Sequence, residues 1–243
     1  MTEKEIKIKE VLIESPYYGY KRVTNELQHR GEEVNHKRVY KIMGSYHLLH
    51  LRRSRKPKTT NSKHNYTIYA NEVKYLGEVL PKQVWVSGIT HIPVGNKWSY
   101  LAHIMDQTTK KIVGFDIDVS IDRSLCIRAL NMALNDNKAP EYHHSDREGQ
   151  YCSIDYMKII RENNIKPSMA DVGMSVDIPY TESLNRSIKV EEVYLNNHES
   201  LEEAKESIVK YIKVYNTRRP HSSIGYVSPM THEANYQLSL SNS

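Results

Sequence analysis

The sequence predicts an α/β domain preceded by a small all-α unit. Three observations predict it: short segments of helical apolar spacing before residue 50, strand-like runs at 84–93, 98–106 and 111–119, and alternating helix and strand patterns from there to about residue 217. With 243 residues, 39% of them hydrophobic, the chain is long enough to bury one or two cores.

Each element has a local cause. Thr2 and Glu5 form a capping-box pattern for a helix over 3–14, with Ile8, Val11 and Leu12 on one face. "SPYYGY" breaks it. Tyr20, Val23 and Leu27 mark a second helix ending near Gly31, and Asn35 caps a third with Val39, Ile42 and Met43 inward, stopped at Gly44. Three short helices with a glycine-containing turn before a helix bearing Lys37, Arg38 and Lys41 have the outline of a helix-turn-helix fold. Residues 51–81 keep no period and read as a basic arm and linker. The three strand runs, joined by "VGNK" and "QTTK", form an antiparallel meander. A helix from Ser124 to Asn135, a strand "EYHHSD", a helix opening at Ser153 and a strand "IKPSMA" follow. Helices over 179–196 and 200–217 come next, the latter opened by Ser200 and Glu203. Residues 236–243 read as a tail.

Composition narrows the classes of function. No run of about 18 apolar residues is present to span a bilayer, and the charged N-terminus has no apolar leader, so a cytoplasmic protein without membrane partners is expected. Cys126 and Cys152 have no C-x-x-C spacing, which argues against a cysteine zinc site and leaves two reduced, semi-buried thiols. The net charge of +5 is uneven: residues 1–60 hold 14 Lys and Arg against 7 Asp and Glu, the remainder 20 against 22. Arg52, Arg53, Arg55, Lys56 and Lys58 make either a phosphate-binding arm or a solvated linker.

Two acids stand out by position. Asp146 ends a predicted strand, and Glu182 lies on the first turns of a predicted helix; ligands of α/β sheets collect beyond strand ends. His143 and His144 cannot jointly chelate one ion, because neighbours on a strand point to opposite faces; one is expected in the core and the other near the site. Arg218, Arg219 and His221, past a long amphipathic helix, could contact phosphates or stabilise the helix C-terminus.

In order along the chain, "YYGYKRVTNELQHRGEEVNHKRVYKIM", "QVWVSGITHIP", "YLAHIMDQTTKKIVGF", "HHSDREGQY", "SMADVG", "TESLNRSIKVEEVYL" and "YNTRRPHSSIGYVSP" resemble the landmarks of transposases of the IS-three insertion-sequence group. Asp146 and Glu182 are separated by 35 residues, as are that family's second and third catalytic acids. The resemblance implies a helix-turn-helix-like DNA-binding domain over 1–50 and, over 82–235, a ribonuclease-H-like core of retroviral integrase type with a mixed five-stranded sheet and flanking helices. It implies metal-dependent phosphodiester cleavage and strand transfer, with Asp, Asp and Glu holding Mg²⁺ or Mn²⁺. Two such cations about 4 Å apart activate the attacking oxygen and stabilise the leaving one. Implied partners are insertion-sequence ends and target DNA, further copies of the chain on DNA, and a partner reading-frame product.

Against that family pattern, W-x-x-Asp-Ile-Thr aligns the first catalytic Asp with Gly88. A weakly catalytic or inactive transposase is therefore expected, with weakened metal binding at Asp146 and Glu182; the alternative is a non-catalytic DNA-binding protein or repressor of transposase descent. A ribonuclease-H-like nuclease acting on RNA or a hybrid is a third reading. Glu148 replaces the usual Gly after Asp-Arg, and Ile178 the usual Asn after Asp177. Asp106 and Glu148 are the acids that could substitute for the missing one.

Overall fold

A computed structural model describes residues 2–49, 65–171 and 179–241, which fall into two compact units, residues 1–58 and 59–243. The basic residues Arg52, Arg53, Arg55, Lys56 and Lys58, and Ile178 with Asp177, lie outside the described residues.

The N-terminal unit is helical: α1 (Glu3–Glu14), α2 (Tyr20–His29) and α3 (His36–Ser45). Glu5 reaches back to the Thr2 N–H at 2.7 Å, and the Asn35 side chain accepts the Arg38 N–H at 2.9 Å, so both expected caps form. Ile8, Val11, Val23, Leu27, Val39 and Met43 close the core between the three helices. Gly44 does not stop α3, as the sequence led one to expect. The helix runs on to Ser45 and the chain reverses at His47, which takes φ 55 while the Leu48 N–H bonds back to the Met43 carbonyl at 2.8 Å.

The second unit holds a five-stranded sheet in the order β3-β2-β1-β4-β5, built from β1 (Val84–Val94), β2 (Lys97–Asp106), β3 (Ile112–Asp118), β4 (Tyr142–Ser145) and β5 (Lys166–Met169). The β3-β2-β1 meander is antiparallel, whereas β4 joins β1, and β5 joins β4, in parallel. Helices α4 (Arg123–Asp136), α5 (Gly149–Cys152) and α6 (Ile154–Glu162) supply one side, and α7 (Pro179–Ile188) and α8 (Leu201–Thr217) the other.

The strand period of two separates the two cores. Val84, Val86, Ile92, Leu101 and Met105 pack with Leu184, Ile188, Ile208 and Tyr215. Trp85, Ala102 and Ile104 pack on the opposite face with Leu125, Leu130, Tyr156 and Ile160. Cys126 and Cys152 are free and fully buried rather than semi-buried, and burial pushes both thiols up.

Three features depart from the sequence expectation. The helix predicted over 179–196 ends as α-helix at Ile188 and widens into a π-helical turn over Lys189–Val193, where Glu191 and Glu192 are both buried. The stretch read as a structureless linker contains a 3-10 turn at Val73–Tyr75. A further helix, α9 (Pro229–Ser241), covers most of the predicted tail. Among the described residues no helix is long and apolar enough to cross a membrane.

Candidate functional site

β1 and β4 run parallel, with Val84, Trp85 and Val86 opposite Tyr142, His143 and His144. Continued two residues, that register sets Asp146, the first residue past β4, level with Gly88. Gly88 shares its face with Val84 and Val86, the face covered by α7. A Cβ built on Gly88 would lie 3.1 Å from Thr181 Cβ, one residue before Glu182 on the first turn of α7. The register therefore sets Asp146, just past the end of β4, level with position 88 within β1, and α7 lays Thr181, the neighbour of Glu182, over that position. Glu182 is exposed there, and Gly88 is buried.

Asp146 and Glu148 form a second juxtaposition, in which the Glu148 backbone N–H donates to Asp146 Oδ1 at 3.0 Å. Both side chains are half-buried. Burial pushes the Asp146 carboxyl up to about 6, against the opposing backbone N–H of Glu148. Burial and then the Asp146 charge push Glu148 up to about 7. The pair is thus a set of hard oxygen donors whose mutual repulsion a divalent cation would relieve, and the donor chemistry fits Mg²⁺ or Mn²⁺. Among the described residues no three His, Cys, Asp or Glu side chains are grouped to hold a metal ion.

Several predicted site residues take other roles. Asp106 does not face the site: its carboxylate accepts the N–H groups of Lys82, Thr108 and Thr109 and the Thr109 hydroxyl, stapling the β2–β3 turn. Arg219 is corrected from a phosphate contact to a structural residue. It is buried, with Nε 2.6 Å from Glu191 Oε2 and Nη2 2.7 Å from Oε1, and its guanidinium lies 4.9 Å from the Tyr215 ring centroid. Sequence reading could not see this, because Glu191 is 28 residues upstream. His221 bonds the Tyr215 hydroxyl at 2.7 Å, while Arg218 is exposed. His143 and His144 do point apart, as expected of neighbours on a strand. Yet both are buried, His143 on the Tyr156 hydroxyl and His144 on Ser168 Oγ, so neither lies open at the site. Lys37, Arg38 and Lys41 are all exposed on α3.

His103, Thr181 and Asn185 carried no sequence signal, yet they surround position 88. His103 is paired with Gly88 across β1 and β2, and its Nε2–H donates to Asn185 Oδ1 at 2.7 Å.

Comparison with known proteins bears on the family and the fold. Integrase core domain profiles match residues 78–175 and 163–229, and an HTH-like domain profile matches residues 2–57. The chain is 32% identical to the insertion element IS600 31 kDa protein of Shigella sonnei, over 90% of this chain and 82% of that protein. It is also 32% identical to the transposase InsF for insertion sequence IS3A of Escherichia coli K12, over 87% of this chain and 75% of that protein. In fold it is similar to the HTLV-2 integrase catalytic core domain in complex with magnesium, with a TM-score of 0.51 and 16% identity over 63% of this chain and 98% of that one. By sequence, domain order and sheet topology, the chain belongs to the IS3-type insertion-sequence transposases, with an HTH-like domain and an integrase core.

Proposed function

We propose that this chain binds the ends of an insertion sequence as a transposase does, and that its cleavage and strand-transfer activity is curtailed by glycine at position 88. The carrying observation is positional: the β1–β4 register sets Gly88 level with Asp146, and Thr181, the residue before Glu182 on α7, packs over it. Divalent metal use is supported by the oxygen donors of Asp146 and Glu148 and by the magnesium in the similar integrase core. When bound, such a cation activates an oxygen nucleophile and stabilises the leaving oxygen. Asp146 and Glu182 would hold it, and Glu148 adds charge beside Asp146. With no anion at 88, the chain would lack one of the charges that balance bound divalent cations there.

DNA contact is assigned to the exposed cations Lys37, Arg38 and Lys41 of α3, to the basic run Arg52, Arg53, Arg55, Lys56 and Lys58, and to Arg218. Copies of the chain bridging two DNA ends, and a partner reading-frame product, extend the same proposal. The test is a joining assay on element ends in Mg²⁺ and in Mn²⁺ beside a DNA-binding assay. The expected result is tight binding with joining at a trace level or absent, absence making the chain a pure end-binding repressor. Robust joining by the unaltered chain would overturn the proposal.

A further inference from the structure

Gly88 and His103 oppose each other in the β1–β2 ladder, on the face covered by α7. His103 is 0% exposed. Its Nε2–H is tied to Asn185 Oδ1 at 2.7 Å, and the Asn185 amide reaches the Ile89 carbonyl at 3.5 Å, so the ring is fixed between β1 and α7. The other ring nitrogen, Nδ1, is buried and meets no hydrogen-bond partner among the described residues. Because burial lowers its pKa to about 4, the ring is neutral at physiological pH and brings no counter-charge to the site.

The space beside Gly88 is tight. A Cβ at position 88 would sit 3.2 Å from His103 Cε1, 3.4 Å from His103 Nε2 and 3.1 Å from Thr181 Cβ. Neighbours at such distances must give by a few tenths of an ångström for one atom. An aspartate adds a carboxyl group beyond that atom, and its charge would enter a buried strand beside an uncharged ring.

The geometry points to a coupled pair: the His103 imidazole occupies room that a carboxylate at position 88 needs, so glycine at 88 and histidine at 103 together close the metal-bridging position. This rests on reading position 88 as the first carboxylate's place. It follows that restoring the acid alone does not restore the site, and that a small residue at 103 is required with it.

The test uses the full chain in four forms: unaltered, Gly88→Asp, His103→Ala and the two substitutions together. His103→Val, a residue suited to strands, serves as a second route if the alanine form does not fold. In metal-free buffer, Gly88→Asp is expected to lower the unfolding midpoint by about 5 °C when His103 is present and by clearly less when His103 is truncated. Equal losses in both backgrounds would overturn the coupling. By calorimetry, the double variant is expected to bind Mn²⁺ about tenfold or more tightly than the unaltered chain, with Gly88→Asp alone showing little gain. Tight Mn²⁺ binding by Gly88→Asp alone would refute the role of His103 while leaving the reading of position 88 intact. Thermal coupling without any gain in Mn²⁺ affinity would keep the His103 contact and refute position 88 as a metal ligand.

Discussion

Arg219 and Glu191 form a buried ion pair, with Nε to Oε2 at 2.6 Å and side chains 2% and 4% exposed. The pair joins the residues just past α8 to the π-helical turn that continues α7, the helix on which Glu182 stands. Burial opposes the charge on Arg219, but its Glu191 partner outweighs that and raises the guanidinium pKa overall. Removing one partner strands a buried charge. Arg219→Ala is expected to cost about 3–5 kcal/mol, whereas replacing both residues together, as Arg219→Met with Glu191→Leu, recovers most of the loss. Arg218→Ala, at an exposed position, leaves stability within about 0.5 kcal/mol. Denaturant unfolding of the three variants checks this; equal losses for Arg218→Ala and Arg219→Ala would count against it.

The acid pair sets a pH dependence. Asp146 and Glu148 titrate in the folded chain at about 6 and about 7, above the carboxyl range near 4 of an unfolded chain. Folding therefore favours their protonated forms, and the stability they contribute is fully present below about pH 4 and lost as pH rises through 6 and 7. Glu148→Gln removes one charge of the pair. Its unfolding midpoint is expected to exceed that of the unaltered chain at pH 8, with the difference shrinking toward pH 4. A constant difference across that range would show that the carboxylates do not repel each other as the geometry requires.

The two basic elements can be separated by salt. Removing one cation from a DNA phosphate is expected to reduce the slope of log affinity against log salt by about 0.9. Replacing Lys37, Arg38 and Lys41 with alanine is thus expected to lower the slope by about 3, and replacing Arg52, Arg53, Arg55, Lys56 and Lys58 by about 4 to 5. Fluorescence titration of element-end DNA at several salt concentrations measures both. An unchanged slope for either set removes that set from the interface.

What the sequence makes legible is what local physics determines. Caps at Thr2, Asn35, Ser153 and Ser200, and the meander's alternating runs, announce themselves within a few residues, and so do Asp146 and Glu182 at element ends. α9 also had a local signal, Ser228 followed by Pro229 at the first helical position, with the Thr231 N–H now bonded to Ser228 Oγ at 3.3 Å. The burial of Arg219 depends on Glu191, and the role of His103 depends on the β1–β2 register, so neither has any trace in its neighbours along the chain. The π-helical turn is hidden for the same reason. Its adjacent acids look solvent-facing until Glu191 meets Tyr211 and Arg219, and Glu192 meets Ser207 and His198.

The sheet that carries the site depends on one close approach. A Cβ added at Gly114 on β3 would overlap the Ala129 carbonyl oxygen and lie 2.7 Å from Ala133 Cβ and 2.9 Å from Ala133 N, all on α4. Backbone and methyl groups of a helix cannot swing aside as a flexible side chain would, so α4 must lift from the sheet as a body. Leu125, Ala129, Leu130 and Ala133 would then pack less closely against Trp85, Ala102 and Ile104. Gly114→Ala is expected to cost at least about 1–3 kcal/mol. Because Gly114 and α4 belong to the unit of residues 59–243, the core of α1, α2 and α3 should keep its protection while the integrase core loosens. Hydrogen exchange is the fitting measurement, with protection falling in β3 and α4 before α1, α2 and α3; uniform loss across the chain, or none, would show that this contact does not hold the layer in place.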